Sequence, residues 1–523
     1  MKYIVVTGGV LSGLGKGVVV ASIGRILKAM NFNTIPIKID GYVNVDPGTM
    51  NPYEHGEVYV LRDGSETDLD LGHYERFMNI DLDGNSNITT GKIYKSVIDK
   101  ERRGDYLGKT VQIIPHITDE IEGEIEKLKS DIVLIEVGGT VGDIETMVFL
   151  ESLRQMSIKK YNEFLFIHLS YVPIVTTGEQ KTKPTQHSAK ELLGLGIRPE
   201  IIIGRCEQDL EESTRKKIAM FCGVDDKCVM GSPDVDDIYK IPLILEKQKL
   251  GSIICDKLKL KYLAPEFNKW KNFVEKIESP AHDIDIGIVG KYTGLEDAYL
   301  SIKESFKHAG AANNCRVNLH WFESEEIKSG DLKVLDGILV PGGFGMRGVE
   351  GKINAVKFAR ENNIPFLGIC LGMHVAIIEF ARHVCGLEAN TTEINKNVEH
   401  PVIDILPEQR KIYKKGGTMR LGAYPCVLER NTTAHKLYKK DEISERHRHR
   451  YEVNPDYIKF LEENGLKFSG KSPDGNLMEM VELPGHLYFT ACQFHPEYQS
   501  RLENPAPLFL GLVRAALKRK INE

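Results

Sequence analysis

Short apolar runs alternate with helically spaced segments through the first half of the chain. An apolar run at 2–7 precedes helical spacing over 16–30 and a second apolar run at 34–39. Further strand-like runs, with helical segments between them, lie at 131–136, 163–169 and 200–204. Strands that alternate with helices predict a parallel sheet with crossover helices on its faces.

The pattern breaks once and then resumes. Residues 263–280 are charged and contain Trp270 and two prolines, and we interpret them as a linker. Apolar runs then return at 283–289, 337–341, 365–369 and 488–493. The predicted fold class is α/β, with two doubly wound parallel-sheet domains. The predicted boundaries are 1–265, a linker at 266–282, and 283–523, with a polar insertion at 390–415.

Composition narrows the class of protein. A chain of 523 residues with 41% hydrophobic and 27% charged residues is typical of soluble domains with their own cores. The net charge of -6 argues against a general nucleic-acid binder, and no apolar run is long enough to cross a membrane. The nine cysteines include no CxxC pair, which suits reduced thiols. We therefore expect a cytoplasmic protein.

A glycine-rich loop follows the first strand and opens the first helix. The stretch from Thr7 to Gly17 carries Lys16, which is placed to reach phosphates, and glycines that turn backbone N–H groups inward. The strict phosphate-loop pattern fails at Val10 and at Gly17, where the hydroxyl that binds Mg²⁺ is missing. A metal would need other oxygen ligands, such as Asp70 or Glu136. The alternative interpretation is a plain glycine turn.

A second chemical signature stands in the other half. Cys370 lies between glycines directly after an apolar run, and His495 and Glu497 follow far downstream. This layout predicts a nucleophile elbow in which a base takes the proton of the thiol and a carboxylate orients that base. The glycine turn at 340–345 offers backbone N–H groups for an oxyanion hole. The alternative is a buried structural cysteine.

Two basic segments complete the set of candidates. Residues 178–187 hold two lysines, hydroxyls and an amide, which suits a second polyphosphate, or equally a solvated loop before a helix. Residues 445–451 alternate arginine and histidine. That alternation fits a strand that binds carboxylates, phosphates or RNA, and it fits a solvated edge strand equally well.

Several long stretches together resemble the CTP synthase family, over essentially the whole chain. They are 45–50, 54–58, 67–77, 136–145, 178–187, 416–422 and 445–454. The order also fits, with a phosphate-loop-like amidoligase domain followed by a class I glutamine amidotransferase domain. The resemblance implies ATP-dependent amination of UTP to CTP, the last step of de novo pyrimidine nucleotide synthesis. UTP would be phosphorylated at O4 and then aminated by ammonia that Cys370 releases from glutamine and that is channelled between the domains.

The resemblance also implies cofactors, partners and site residues. It implies Mg²⁺ with ATP, activation by GTP, inhibition by CTP, and a homotetramer, with filaments left open. In the first domain it implies these roles: ATP binding by Ser12, Gly13, Leu14, Gly15, Lys16, Gly17, Lys38 and Asp70; metal binding by Asp70 and Glu136; UTP or CTP binding by Ser12, Asp143, Ile144, Glu145, Arg154, Lys181, Thr182, Lys183, Gln186 and Lys217; ammonia passage at His55 and Val58. In the second it implies catalysis by Cys370, His495 and Glu497, an oxyanion hole at Gly343 and Leu371, glutamine binding by Gly343, His374, Glu393 and Arg448, and a GTP-linked lid at Arg420.

Two positions depart from the family pattern. His374 stands where the family usually has glutamine, and Gly41 where proline is common. A neutral imidazole offers one donor and one acceptor, so our hypothesis is that glutamine still binds, with a shifted KM and a new pH dependence near the histidine pKa. We expect only a small cost from Gly41.

Two other functions compete with this interpretation. The first is another amidoligase with the same two halves, acting on a carboxylate acceptor. The second is a non-catalytic regulator or filament protein that keeps the nucleotide folds. The retained Asp70, Glu136, Cys370, His495 and Glu497 argue against the second.

Overall fold

The computed structural model describes residues 1–51, 56–291, 296–328, 330–343, 347–406 and 418–522. Its contacts divide the chain into two compact units. The first unit contains 1–47 and 70–271, and the second contains 48–69 and 272–523. The segment 48–69 therefore packs with the C-terminal half, although it lies early in the chain. The predicted domain boundaries themselves stay a prediction.

The first half of the chain alternates strands and helices, as predicted. In chain order the elements are β1 (Lys2–Gly8), α1 (Lys16–Ala29), β2 (Thr34–Asp40), β3 (Tyr59–Val60), β4 (Glu66–Thr67), α2 (Leu69–Met78), β5 (Asn87–Thr89), α3 (Thr90–Arg103), α4 (Thr118–Glu126), β6 (Ile132–Val137), α5 (Met147–Lys159), β7 (Phe164–Tyr171), α6 (Lys183–Gly194), β8 (Ile201–Cys206), α7 (Glu212–Cys222), β9 (Val229–Pro233), α8 (Ile241–Lys247), α9 (Leu250–Leu258) and α10 (Asn268–Glu278).

The first unit is built on a seven-stranded sheet in the order β5-β2-β6-β1-β7-β8-β9. Every pairing in it is parallel. Strand β1 lies at the centre, and its buried residues alternate between the two faces of the sheet. The loop after β1 therefore emerges at the carboxyl edge, between the ends of β6 and β7, which is where ligands bind in such sheets.

The predicted linker is partly a packed helix. The indole of Trp270, in α10, is 1% exposed and donates to the carbonyl oxygen of Tyr239 at 2.8 Å. Its ring also meets the ring of Phe77, and the guanidinium of Arg25 lies 4.7 Å above it. Burial of an aromatic ring of this size holds the start of α10 on the first unit.

The second half continues the alternation and adds more strands. Its elements are β10 (His282–Gly290), α11 (Leu300–Ala312), β11 (Cys315–Glu323), β12 (Gly337–Val340), α12 (Val349–Glu361), β13 (Phe366–Ile369), α13 (Leu371–His383), β14 (Ala389–Thr391), β15 (His400–Ile405), β16 (Arg420–Leu428), α14 (Thr433–Tyr438), β17 (Glu442–His449), β18 (Tyr451–Val453), α15 (Pro455–Glu463), β19 (Lys467–Lys471), β20 (Met478–Glu482), β21 (Phe489–Cys492) and α16 (Pro507–Asn522).

The second unit contains a nine-stranded sheet in the order β11-β10-β12-β13-β21-β20-β19-β16-β17. The pairings from β11 to β21 are parallel, and those from β21 to β17 are antiparallel. Apolar cores cover both faces, with Ile338 and Val340 in one and Leu339 in the other. The α/β prediction is confirmed, and the antiparallel half is an addition to it.

Two smaller points complete the fold. Of the predicted insertion at 390–415, the structure describes part, including β15, whereas 407–415 lie outside the described residues. No helix among the described residues is long and apolar enough to cross a bilayer.

Candidate functional site

Cys370 occupies a sharp turn between β13 and α13. Its backbone φ is 52° and ψ is -104°, a conformation that is rare and strained for a residue with a side chain. Close packing holds this turn, because a Cβ on Gly372 would lie 2.1 Å from the carbonyl oxygen of Val340. A Cβ on Gly368 would lie 2.7 Å from the carbonyl oxygen of Gly372. The glycines around Cys370 are therefore required for the elbow, and they place the thiol at the N-terminus of α13.

His495 and Glu497 lie together beside the cysteine. The Nδ1 atom of His495 is 2.7 Å from Oε1 of Glu497, and both residues are buried. Burial alone would lower the pKa of His495, but Glu497 and Cys370 raise it to about 10. Among the described residues Nε2 makes no hydrogen bond. The imidazole is thus fixed at one nitrogen by a carboxylate, while the other is available to a reacting group.

The thiol opens into a cavity of about 580 Å³ that lies within the second unit. Its lining includes Gly342, Gly343, Val58, Lys352, Cys370, Glu393, Arg448, His495, Glu497 and Tyr498. A Cβ on Gly342 would lie 2.8 Å from Cε1 of His495 and 3.5 Å from Cβ of Cys370. A side chain at position 342 would therefore crowd both the base and the nucleophile, and glycine avoids this. Gly343 follows it, and Leu371 begins α13, where backbone N–H groups lack helical partners.

The loop after β1 has the backbone shape of a phosphate loop. Gly13 and Gly15 have φ values of 73° and 85°, and Val10 has a φ of 80°. That value is unfavourable for a β-branched residue, so Val10 takes the conformation of the glycine that the strict pattern has there. Lys16 begins α1, and its Nζ donates to the carbonyl oxygen of Gly139 at 2.7 Å. Burial lowers the pKa of Lys16.

Three carboxylates converge on Lys38 at the same edge of the sheet. Its Nζ contacts Asp70, lies 2.8 Å from Oε1 of Glu136, and lies 3.9 Å from Oδ1 of Asp40. Burial alone would lower the pKa of Lys38, but these carboxylates raise it well above its usual value. Burial raises the pKa of Asp40 to about 6 and raises that of Glu136 as well. The hydroxyl of Tyr74 donates to the other oxygen of Glu136.

Asp70 explains why the loop has no hydroxyl after its lysine. A Cβ on Gly17 would lie 1.9 Å from Oδ1 of Asp70, so no side chain fits at that position. The carboxylate thus occupies the place beside α1 where a serine or threonine hydroxyl would stand. Asp70 and Glu136 are hard oxygen donors, and Mg²⁺ is commonly held by one or two carboxylates with phosphates and water. This donor pair fits Mg²⁺, although no group of three or more histidine, cysteine or acidic side chains suited to a metal occurs among the described residues.

Comparisons with known proteins match both halves of the chain. Residues 2–260 match the model of the CTP synthase N-terminus, and residues 295–515 match that of class I glutamine amidotransferases. The CTP synthase of Methanocaldococcus jannaschii is 56% identical over 537 aligned positions, which span 100% of this chain and 99% of that one. The CTP synthase of Archaeoglobus fulgidus is 56% identical over 532 positions, which span 100% of both chains.

The chain belongs to the CTP synthase family. It is therefore a glutamine-hydrolysing ligase that forms a carbon–nitrogen bond. Among solved structures, one described as the glutaminase domain of Trypanosoma brucei CTPS with bound acivicin is 40% identical. It covers 45% of this chain and 94% of its own, with a TM-score of 0.43.

Four of the ten residues predicted to bind UTP or CTP lie around the N-terminus of α6. Gln186 donates to Oγ1 of Thr182 at 2.9 Å, and Nζ of Lys183 lies 5.7 Å from the ring centroid of Phe221 in α7. Lys181 pairs with Glu179 at 2.6 Å. Its hydrogen bond, followed by its charge and then by the charge of Lys217, lowers the pKa of Glu179. A helix N-terminus with three lysines nearby is suited to a polyanion.

Four more of the predicted nucleotide residues lie on the turn after β6 and on α5. Asp143 accepts from the backbone N–H of Thr140 at 2.9 Å, and Ile144 is 84% exposed. Arg154 makes a bidentate ion pair with Glu151, at 2.8 Å for each bond. A Cβ on Gly41 would lie 2.8 Å from Cβ of Glu145, so the glycine at 41 permits close approach of this turn.

The arginine–histidine strand is an edge strand, but it is not solvated. In β17, Arg446 is buried and donates to the carbonyl oxygen of Val60 at 3.1 Å. Arg448 pairs with Glu66 at 2.8 Å and lines the thiol cavity together with Glu393. Alternating residues of a strand point to opposite sides, so Arg446 and Arg448 lie on the same face of β17. The segment 48–69 covers that face. The interpretation as a solvated strand is therefore wrong.

His374 does not line the cavity, although we expected it to bind glutamine. It is buried in α13, and its Nε2 lies 2.7 Å from Oε1 of Gln493. The amide of Gln493 in turn donates to Sγ of Cys370 at 3.8 Å. Burial lowers the pKa of His374 to about 4, so the ring stays neutral from pH 6 to 8. The hypothesis of a pH dependence near the usual histidine pKa is thus not supported.

Two further residues with predicted roles, Arg420 and Val58, lie in the second unit. The guanidinium of Arg420 is mostly buried between Glu452, at 3.1 Å, and Glu479, at 2.7 Å, rather than presented on a surface lid. Its link to GTP stays a prediction. Val58 lines the thiol cavity, and its carbonyl oxygen accepts from the hydroxyl of Tyr498 at 3.2 Å. His55 lies outside the described residues.

Sequence reasoning missed several residues that the fold brings to the two sites. They are Asp40 and Tyr74 at the carboxylate cluster, Gln493 behind the thiol, and Tyr498, whose ring stacks on that of His495 with centroids 5.2 Å apart. A signal existed for three of them. Gln493 and Tyr498 flank the His-Pro-Glu sequence, and Tyr74 lies one helical turn after Asp70.

Proposed function

We propose that this chain is a CTP synthase that converts UTP, ATP and glutamine into CTP, ADP, phosphate and glutamate. The observation that carries the proposal is the pairing of two unrelated sites in one chain. One is a thiol elbow with a carboxylate-fixed imidazole, and the other is a phosphate loop whose lysines and carboxylates meet at one sheet edge. The full-length likeness to curated CTP synthases supports the same assignment.

The thiol site performs the hydrolysis of glutamine in this proposal. The thiol proton of Cys370 passes to His495, the sulfur adds to the side-chain amide carbon, and the carbonyl π electrons move to oxygen. The C–N bond then breaks as that pair returns, and His495 gives its proton to the departing ammonia. Glu497 keeps the imidazole oriented throughout. Water hydrolyses the resulting thioester to glutamate.

Backbone and side-chain groups around the cavity position the substrate. The N–H groups of Gly343 and Leu371 receive the oxyanion, helped by the positive end of α13. Glu393 pairs with the amino group of glutamine, and Arg448 with its carboxylate. Arg448 is held by Glu66 in this structure, so we propose that the substrate carboxylate competes for that guanidinium.

The phosphate-loop site activates UTP. The loop from Ser12 to Gly17 holds the phosphates of ATP, and Lys16 and Lys38 neutralise charge on the transferred phosphoryl group. Mg²⁺ held by Asp70 and Glu136 would screen the same phosphates. The surrounding carboxylates raise the pKa of Lys38 and so favour its charged form. Phosphorylation at O4 of UTP makes that oxygen a leaving group that ammonia displaces.

The need for unprotonated ammonia explains why the sites are joined. Ammonia released into water at neutral pH is mostly protonated to ammonium, and ammonium is not a nucleophile. We propose that ammonia reaches UTP without entering bulk water, by way of the segment that holds Val58. The same proposal includes UTP binding by the lysines at the start of α6, activation by GTP, inhibition by CTP at the turn after β6, and a homotetramer.

The test compares nitrogen sources. CTP formation from UTP, ATP and Mg²⁺ is measured with glutamine and with ammonium chloride, for wild type and Cys370→Ala. The expected result is that the variant loses synthesis from glutamine and keeps synthesis from ammonium. Absence of CTP with both sources in the wild type, while ATP is still hydrolysed, would contradict UTP as substrate. A panel of carboxylate acceptors would then test the alternative amidoligase.

A further inference from the structure

Lys352 is a buried cation with no hydrogen-bond partner in the part of the chain that the structure describes. It lies in the first turns of α12, and its side chain is 0% exposed. Among the described residues no acceptor lies within hydrogen-bonding distance of its Nζ. Burying an ammonium away from water costs several kcal/mol unless an opposite charge compensates for it. A position that served packing alone would be filled better by an apolar side chain of the same length.

The ammonium is directed at the thiol site. Lys352 lines the same cavity as Cys370 and His495. A Cβ on Gly343 would lie 3.8 Å from Nζ of Lys352, so the ammonium is beside the glycine turn that faces the nucleophile. A negative charge that appears at this turn would therefore be within a few ångströms of a desolvated positive charge, where attraction is strong.

The charges around Lys352 come from three directions. Lys291, after β10, repels its ammonium, while Cys370 and Glu323 attract it. Burial, followed by the repulsion from Lys291, lowers the pKa of Lys352 to about 7. The side chain is thus close to losing its proton in the resting protein, and a new anion in the cavity would favour the charged form.

We propose that Lys352 is an additional oxyanion-stabilising residue of the glutaminase site. This rests on the proposed function, because it needs glutamine to be hydrolysed at Cys370. When sulfur adds to the amide carbon, the carbonyl pair moves to oxygen, and the ammonium of Lys352 stands opposite the new negative charge while keeping its own proton. The backbone donors at Gly343 and Leu371 act on the same oxygen. His495 remains the group that supplies the proton to ammonia.

The test replaces the lysine by a side chain of similar shape without charge. Lys352→Met is compared with Lys357→Met, which removes a lysine from the same helix outside the cavity. We expect kcat for glutamine hydrolysis to fall about 100-fold in Lys352→Met, the size seen when one oxyanion donor is removed. The KM for glutamine should change by less than about threefold, since the charge acts in the transition state. CTP synthesis from ammonium chloride should equal that of Lys357→Met.

A pH profile separates an electrostatic role from a structural one. In the wild type, kcat/KM for glutamine should decline above pH 7 as Lys352 loses its proton, and Lys352→Met should lack that decline. Glutaminase activity equal to that of Lys357→Met would overturn the proposal, and so would a loss shared equally with the ammonium-driven reaction. A wild type that hydrolyses no glutamine but makes CTP from ammonium would instead overturn the glutaminase assignment on which this inference rests.

Discussion

Two buried lysines, one in each unit, have opposite environments. Lys38 is surrounded by Asp40, Asp70 and Glu136, which raise its pKa. No carboxylate among the described residues forms an ion pair with Lys352, and its pKa falls to about 7. Lys38 therefore has a charge that the protein itself stabilises. Lys352 has a conditional charge that is stabilised only when an anion arrives. The first suits a site that receives phosphates and metal together, and the second suits a site where charge appears during reaction.

The largest expected effect comes from replacing one of the carboxylates that surround Lys38. In Asp70→Asn the oxygen donor beside Gly17 is weakened. CTP synthesis should therefore fall at least about 100-fold, which is more than the loss of a group that only supports a metal ligand causes. The loss should be equal with glutamine and with ammonium chloride, and glutamine hydrolysis should persist. Steady-state assays of both half-reactions provide the measurement. A loss confined to the glutamine-driven reaction would contradict the role of Asp70.

Removing each lysine should change stability in opposite directions. Lys38→Met leaves three buried carboxylates without their cation and should destabilise the first unit by about 3–5 kcal/mol. Lys352→Met removes an uncompensated buried charge and should stabilise the second unit by about 1 kcal/mol or more. Calorimetric unfolding that resolves the two transitions measures both effects. A change in unfolding free energy of the same sign for both variants would contradict the opposite environments of the two lysines.

The same difference predicts a pH dependence. The pKa of Lys352 is lower in the folded state than in the unfolded chain, so the unfolded chain binds more protons between about pH 7 and pH 10. Stability of the second unit in the wild type should therefore rise across that window by up to about 4 kcal/mol relative to Lys352→Met. The variant should exceed the wild type in stability by the largest amount below pH 7. Thermal melts of the two proteins from pH 6 to pH 10 test this. Parallel curves would contradict it.

The smallest expected effect concerns the group behind the thiol. His374→Ala removes the partner that orients Gln493, so glutamine hydrolysis should slow about fivefold, the cost of one hydrogen bond. His374→Gln should restore most of the rate, and neither ratio to wild type should vary between pH 6 and pH 8. His383→Ala, on the same helix, is the matched control. A ratio that changes with pH in that interval would mean that His374 titrates there.

Much of the fold and of both sites is readable from short stretches of the chain. The phosphate loop and the elbow consist of glycines at set distances from a strand end, and these distances predict backbone shape directly. Val10 is instructive, because the loop keeps the left-handed conformation there even without a glycine. Lys16, Cys370, His495 and Glu497 were named from such local patterns, and the structure places the last three around one cavity.

Other features depend on residues far apart in the chain. Nothing near Gly17 indicates that a carboxylate at position 70 takes the place of its side chain, and nothing near Lys352 indicates that it faces Cys370. The sequence left open whether β17 is solvated, because it does not reveal that 48–69 covers the arginines of this strand. His374 was assigned to the substrate cavity, but helix packing turns it towards Gln493.

By itself, the sequence determined the alternation of strands and helices, the two loop motifs, the nucleophile with its base, and the resemblance to a family. These depend on local backbone preference and on the period of apolar residues, which act over a few neighbouring positions. Only the tertiary structure decided which charges meet. Among the described residues, three carboxylates lie on Lys38 and none pairs with Lys352, and the imidazole of His374 lies behind rather than inside the cavity. Burial and charge pairing arise from contacts between distant segments, and they set the charge state of each group at its site.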